Sequence, residues 1–156
     1  MKEEAEIWRA VADIASPCAD ISYAYADGNA RVTMHFSRVR GQAARDLVLH
    51  FQGVISLRAE EESCGLIPFP ASLPKCSGAE WSQWTYPLLI IRNSYWRRQY
   101  LDTNPVLTEA WVHYALVAMN DLVQLLANQD VLAEWVVAHD ETEQAVPADR
   151  PKTGVG

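Results

Sequence analysis

Cysteine is scarce in this chain: Cys18, Cys64 and Cys76 are an odd number and widely spaced. That spacing argues against a disulfide framework and suits a reducing compartment, the cytoplasm. Glycine is scarce as well, and Gly41, Gly53, Gly65 and Gly78 stand alone, so no loop has the composition that cradles a phosphate. No apolar run approaches the length needed to span a bilayer, which excludes a membrane helix. The opening MKEEAEIWRA places acids where a signal peptide would carry basic residues ahead of an apolar block. Positive charge is in deficit: 13 Lys and Arg against 20 Asp and Glu give a formal charge of −7 and a pI near 5.0. A surface of that sign repels phosphate backbones, so nucleic acid is an unsuitable partner and a basic protein a suitable one.

What is present is an ordinary globular composition, 49% apolar and 21% charged over 156 residues, enough to bury a substantial core. We read residues 1–139 as one globular domain and the polar, proline-containing stretch 140–156 as a disordered tail. The clearest local signals are β-hairpins. Residues 21–36 alternate on both sides of Asp27-Gly28, a pair that tolerates the positive φ angles of a tight hairpin turn. Ile21, Tyr23 and Tyr25 share one face of the first strand, and Val32, Met34 and Phe36 one face of the second. A third strand is predicted from Asp46 to about Arg58, with a bulge or sharp bend at Gly53. Further strands are predicted over 84–91 and from Leu107 or Trp111 to Met119. A turn at Asn120-Asp121 is read as leading into another apolar strand within 121–137, although Leu, Gln, Ala and Glu there also suit a helix that Asn120-Asp121 would cap. Residues 3–15 carry Ile7, Trp8, Val11, Ile14 and Ala15 at helical spacing, with Glu3, Glu4 and Glu6 in the first turn. Residues 93–101 read as a short helical turn. The predicted fold class is therefore α+β: an N-terminal helix packed on a mainly antiparallel, curved sheet of five or six strands.

The segment 59–83 is predicted to be a long loop, acidic at its start and rich in proline later. Its acids, Glu60, Glu61 and Glu62, are candidate binding residues, although consecutive glutamates are most often a solvated run. Aromatics and arginines interleave between 81 and 114, and Trp84, Arg92, Trp96, Arg97, Trp111 and His113 are candidate contact residues there. Both residue types offer large contact areas with polar handles. The competing reading is a core whose polar tips reach the rim. His35 and His50, on strands expected to pair, could join Cys64 or Cys76 on a metal, but none of these has the close spacing of a ligand pair. Ser94 and the cysteines are the candidate nucleophiles, with no nucleophile elbow or neighbouring base to support them. No catalytic residue, metal ligand or cofactor is assigned.

The stretch 111–127, WVHYALVAMNDLVQLLA, resembles the closing hairpin of small, uncharacterised bacterial proteins that share a His-Tyr pair, a strand, an acidic turn and a second apolar strand. The segment DLVLHFQGVISLRAEEE resembles the preceding part of the same pattern. Some of those proteins resemble the immunity partners of polymorphic toxins. The resemblance implies a small, acidic, cytoplasmic protein that inhibits by covering a toxin surface, and it brings no catalytic residues. The leading functional expectation is thus a non-enzymatic interaction module for a basic protein partner. A small-molecule-binding domain with an aromatic-lined pocket, or a small enzyme without a recognisable motif, are the alternatives. A homodimer covering a strand edge is a further expectation.

Overall fold

The architecture is that of a computed structural model, which describes residues 1–39, 41–61, 72–104 and 110–137. Its strands are β1 (Glu4–Ile7), β2 (Asp20–Ala26), β3 (Asn29–Phe36), β4 (Arg45–Phe51), β5 (Ser56–Glu61), β6 (Leu88–Arg92), β7 (Trp111–Val117), β8 (Asp121–Asn128) and β9 (Leu132–Val137). One α-helix, α1 (Tyr95–Thr103), lies between β6 and β7. The strands form two antiparallel sheets, ordered β1-β6-β7-β8-β5 and β2-β3-β4-β9. They pack face to face. Val32, Met34, Leu47, Leu49 and Phe51 of the four-stranded sheet share one core with Tyr114, Leu116, Val123 and Leu125 of the five-stranded sheet. The Phe51 and Tyr114 rings meet edge to face across the interface, their centroids 5.1 Å apart.

Local chemistry explains the elements that match expectation. Asp27 and Gly28 have φ angles of 53° and 76°, the left-handed pair of a type I′ turn, whose twist matches that of β2 and β3. On β3, Ala30, Val32, Met34 and Phe36 are buried and alternate with Arg31, Thr33 and His35. The bend expected at Gly53 is larger than a bulge. The predicted third strand is two strands, β4 and β5, and the chain changes sheet between them. Gly53 has φ 56°, and a side-chain carbon there would collide with Asn128, so only glycine suits this corner. Asn128 lies where β8 leaves its sheet for β9, and its N–H donates to the Gln52 carbonyl at 3.0 Å. Two sheet-changing corners therefore brace each other.

The α+β class is overturned. Among the described residues nine strands stand against one α-helix, the helix predicted over 3–15 is absent, and the helix that does form lies in the middle of the sequence. In β1, Glu4 and Glu6 are exposed while Ala5 and Ile7 are half-buried, a period of two that the helical spacing of the bulkier residues conceals. β1 pairs with β6, and there Glu6 accepts two hydrogen bonds from Arg92, at 2.8 and 3.0 Å. Asp13, with φ 68°, is likewise incompatible with a helix through 15.

The β7–β8 hairpin forms as expected, but its loop residues are Met119 and Asn120, with Asp121 opening β8. The second apolar strand stops at Asn128, and residues 132–137 of the predicted stretch form β9 in the other sheet. The loop expected from residue 59 starts later, since β5 extends to Glu61. Residues 62–71 of that loop, Cys64 among them, and the 140–156 tail lie outside the described residues.

Candidate functional site

The polar residues with the most organised surroundings lie on the face of the five-stranded sheet turned away from the core, beneath α1. In the β7–β8 register, His113 stands opposite Leu126 and Ala115 opposite Gln124, so His113 and Gln124 are diagonal neighbours on one face. β5 adds Arg58, which pairs with Gln124. Above them the chain leaves β6, reverses at Asn93 (φ 55°) and enters α1 with Ser94 as its N-cap.

Ser94, His113 and Gln124 form a continuous chain of hydrogen bonds. Ser94 Oγ accepts the Arg97 backbone N–H at 3.0 Å and lies 2.7 Å from His113 Nδ1. His113 Nε2 lies 2.7 Å from Gln124 Oε1. With the proton on Nε2, His113 donates to Gln124 and accepts from the Ser94 hydroxyl, leaving Gln124 Nε2 without a partner among the described residues. Turning the Gln124 amide over would strand its oxygen and the Ser94 hydroxyl proton instead, so the first arrangement satisfies more groups.

The three residues are only 3, 5 and 2% exposed. Trp96 closes over His113 with its ring edge-on at 5.1 Å, and the Arg58 guanidinium lies 4.0 Å from the centre of the Trp96 ring. Burial pushes the His113 pKa down from 6.5 to about 4; the bond to Gln124 opposes the fall and the nearby Arg58 charge adds to it. A hydroxyl aimed at a neutral imidazole is the resting arrangement of a nucleophile and its base. Here the third member is a neutral amide, which supports an imidazolium far less than a carboxylate would, and all three groups are sealed from solvent. The network therefore ties the start of α1 to β7 and β8.

The contact residues expected from sequence divide between several places. Trp96, Arg97, Trp111 and His113 do come together, and Arg97 Nε donates to the Trp111 carbonyl at 2.6 Å. Arg92 is instead paired with Glu6 at the β1 edge. Trp84 stacks edge-on with Trp81 at 6.5 Å and lines a small hollow of about 50 Å³ with Pro17, Val117 and Met119. Glu60 and Glu61 are on the edge strand β5, half-buried and exposed respectively, and Glu62 is outside the described residues. Glu61 stands directly opposite Asp121. Ser94 was a candidate only as a nucleophile, and Gln124 and Arg58 were missed. The readable signal for Ser94 was its spacing to the helix that it caps.

On the outer face of the four-stranded sheet, His35 and His50 lie on paired strands but do not face each other. His35 is opposite Asp46, with Nδ1 2.6 Å from Oδ1, and His50 is opposite Arg31, with Glu134 3.6 Å away. Among the described residues no three His, Cys, Asp or Glu side chains are grouped to hold a metal. Cys18 and Cys76 are buried free thiols, and burial pushes Cys18 up to about 12. A shallow depression of about 370 Å³ lies beside His50, over Ala24 and Ala26 and bordered by Asn29, Arg31 and Gln52. No helix among the described residues is long and apolar enough to cross a membrane. Comparison with protein families, with characterised proteins and with solved structures found no match.

Proposed function

We propose that this chain is a non-enzymatic, immunity-like interaction module that takes a basic protein partner at the acidic end of the β5–β8 ladder. The observation that carries the reading is the cross-strand pair Glu61–Asp121. Like charges directly opposite each other weaken a sheet, and a cation supplied from outside would turn that cost into attraction. Neither residue, nor adjacent Glu60, has an ion-pair partner among the described residues. The formal charge of −7 extends the attraction to long range and steers a basic partner during encounter. Sealing of Ser94 and His113 supports a binding role over a hydrolytic one. Buried free Cys18 and Cys76 suit the cytoplasm as the place of action.

The test is parallel capture from the source cells by the wild-type chain and by the Glu60→Lys/Glu61→Lys variant, followed by association kinetics with the purified partner. One stoichiometric basic protein should be retained by the wild type. The double reversal should slow association by about tenfold or more at low salt, with little change in folding. Equal on-rates for the two proteins would overturn the assignment.

A further inference from the structure

The four edge strands of the sandwich are not equally protected. β1 carries Glu4 and Glu6, and β5 carries Arg58, Glu60 and Glu61; charges of this kind keep a strand edge from recruiting another strand. β9 has exposed Leu132, Val136 and Val137, but Glu134 interrupts it, and it leads directly into residues outside the described set. β2 differs. Between Asp20 and Asp27 its sequence is Ile-Ser-Tyr-Ala-Tyr-Ala, with no charge and no proline, and Ser22 to Ala26 are all exposed.

The backbone of this edge is set out for pairing. In a hairpin closed by the two-residue Asp27-Gly28 turn, Ala26, Ala24 and Ser22 direct their N–H and C=O groups to β3. Those of Tyr25, Tyr23 and Ile21 then point outward. The side chains of these outward-bonding residues lie on the sheet's inner face, which is core under β3 and β4. At β2 that face is open, with Tyr23 47% and Tyr25 54% exposed. On the opposite face, Ala24 and Ala26 floor the depression of about 370 Å³, which leaves room for a bulky neighbouring side chain.

We infer that β2 receives an extended segment of a partner protein as an added antiparallel strand, with Lys or Arg near both its ends. The charges decide the occupant. An antiparallel pairing of β2 with β2 of a second copy must set outward-bonding residues against each other; centred on Tyr23, it places Asp20 opposite the copy's Ala26, next to the copy's Asp27, at both ends, on chains that each carry −7. A strand with basic ends meets the same two aspartates with attraction. This surface is distinct from the Glu61–Asp121 end and does not depend on it.

The probe is an acetylated, amidated peptide, lysine-valine-threonine-valine-tyrosine-valine-threonine-lysine, titrated into the full-length protein while backbone amide exchange is followed by NMR. Exchange at Ile21, Tyr23 and Tyr25 should slow by about tenfold or more on saturation, while Ser22, Ala24 and Ala26, already bonded to β3, change little. N-methylation through the middle of the peptide should abolish the effect. Asp20→Asn/Asp27→Asn, in which asparagine also tolerates the positive φ at 27, should weaken binding several-fold. Unchanged exchange at Tyr23 and Tyr25 at millimolar peptide would overturn the inference. So would slow exchange there without peptide in a protein that light scattering shows to be dimeric, because a second copy would then be the occupant. Loss of partner capture by the Glu60→Lys/Glu61→Lys variant with β2 unresponsive to the peptide would sustain the acidic-end reading alone.

Discussion

His113 and His35 occupy the outer faces of the two sheets, and the difference between them separates histidine used as structure from histidine left at a surface. His113 is 5% exposed, bonded through both ring nitrogens and covered by Trp96. The His35 side chain is 38% exposed and has one carboxylate partner, Asp46, itself partly in water. Both sit on central strands and face away from the core. What differs is the cover: α1 and Trp96 lie over His113, whereas the His35 side chain on the other sheet stands partly in water. A helix laid on a sheet has to satisfy every polar group it buries, and the Ser94–His113–Gln124 chain does so for all but one amide nitrogen.

Breaking the covered side should have the largest effect. His113→Ala removes the middle of the chain, strands the Ser94 hydroxyl and the Gln124 oxygen in a dry site and opens a cavity under Trp96. We expect a loss of about 3–4 kcal/mol in unfolding free energy, measured by denaturant titration. A loss below about 1 kcal/mol, on the scale of a surface change, would remove the network from the list of what holds α1 in place.

Acid should strain the same site without mutation. Because the folded His113 pKa is held near 4 while the unfolded value is 6.5, the unfolded chain binds a proton that the folded chain refuses over that window. Stability is therefore complete above pH 6.5 and falls as the pH drops towards 4, by about 3 kcal/mol in all if the whole shift is expressed. His113→Gln, measured at the same pH values, should show a shallower decline. Parallel curves for the two proteins would contradict the burial-driven shift.

At the open site the effect should be small. Asp46→Asn keeps the shape of the pair with His35 and removes its charge, and an exposed pair of this kind is worth under about 1 kcal/mol. Denaturation in low and high salt would sharpen the contrast: the small effect at Asp46 should shrink with salt, and the effect at His113 should not.

The same contrast governs what could be read from sequence. The β2–β3 hairpin was legible because its information is local: an Asp-Gly turn flanked by strict alternation. β1 was not, because Glu-Ala-Glu-Ile is too short to separate a period of two from one of 3.6, and its partner β6 lies far along the chain. The tryptophans and arginines were noticed as a group, yet nothing in their spacing says that Arg92 pairs with Glu6 while Arg97 bonds Trp111. His113 drew attention by itself. Gln124 and Arg58 join it only through the β7–β8 and β8–β5 registers, which depend on the whole sheet.

The two short terminal strands also set a timetable. β1 pairs with β6, and β9 with β4, so each sheet is completed by a segment from the opposite end of the described chain. A ribosome releases residues 4–7 long before residues 88–92 exist to receive them, and the four-stranded sheet keeps a bare inner edge at β4 until residues 132–137 arrive. Such distant pairing belongs to domains that fold on the order of milliseconds to seconds. During synthesis, Leu47, Leu49 and Phe51 therefore wait at an unfinished edge, and the last strand to emerge is the one that closes it.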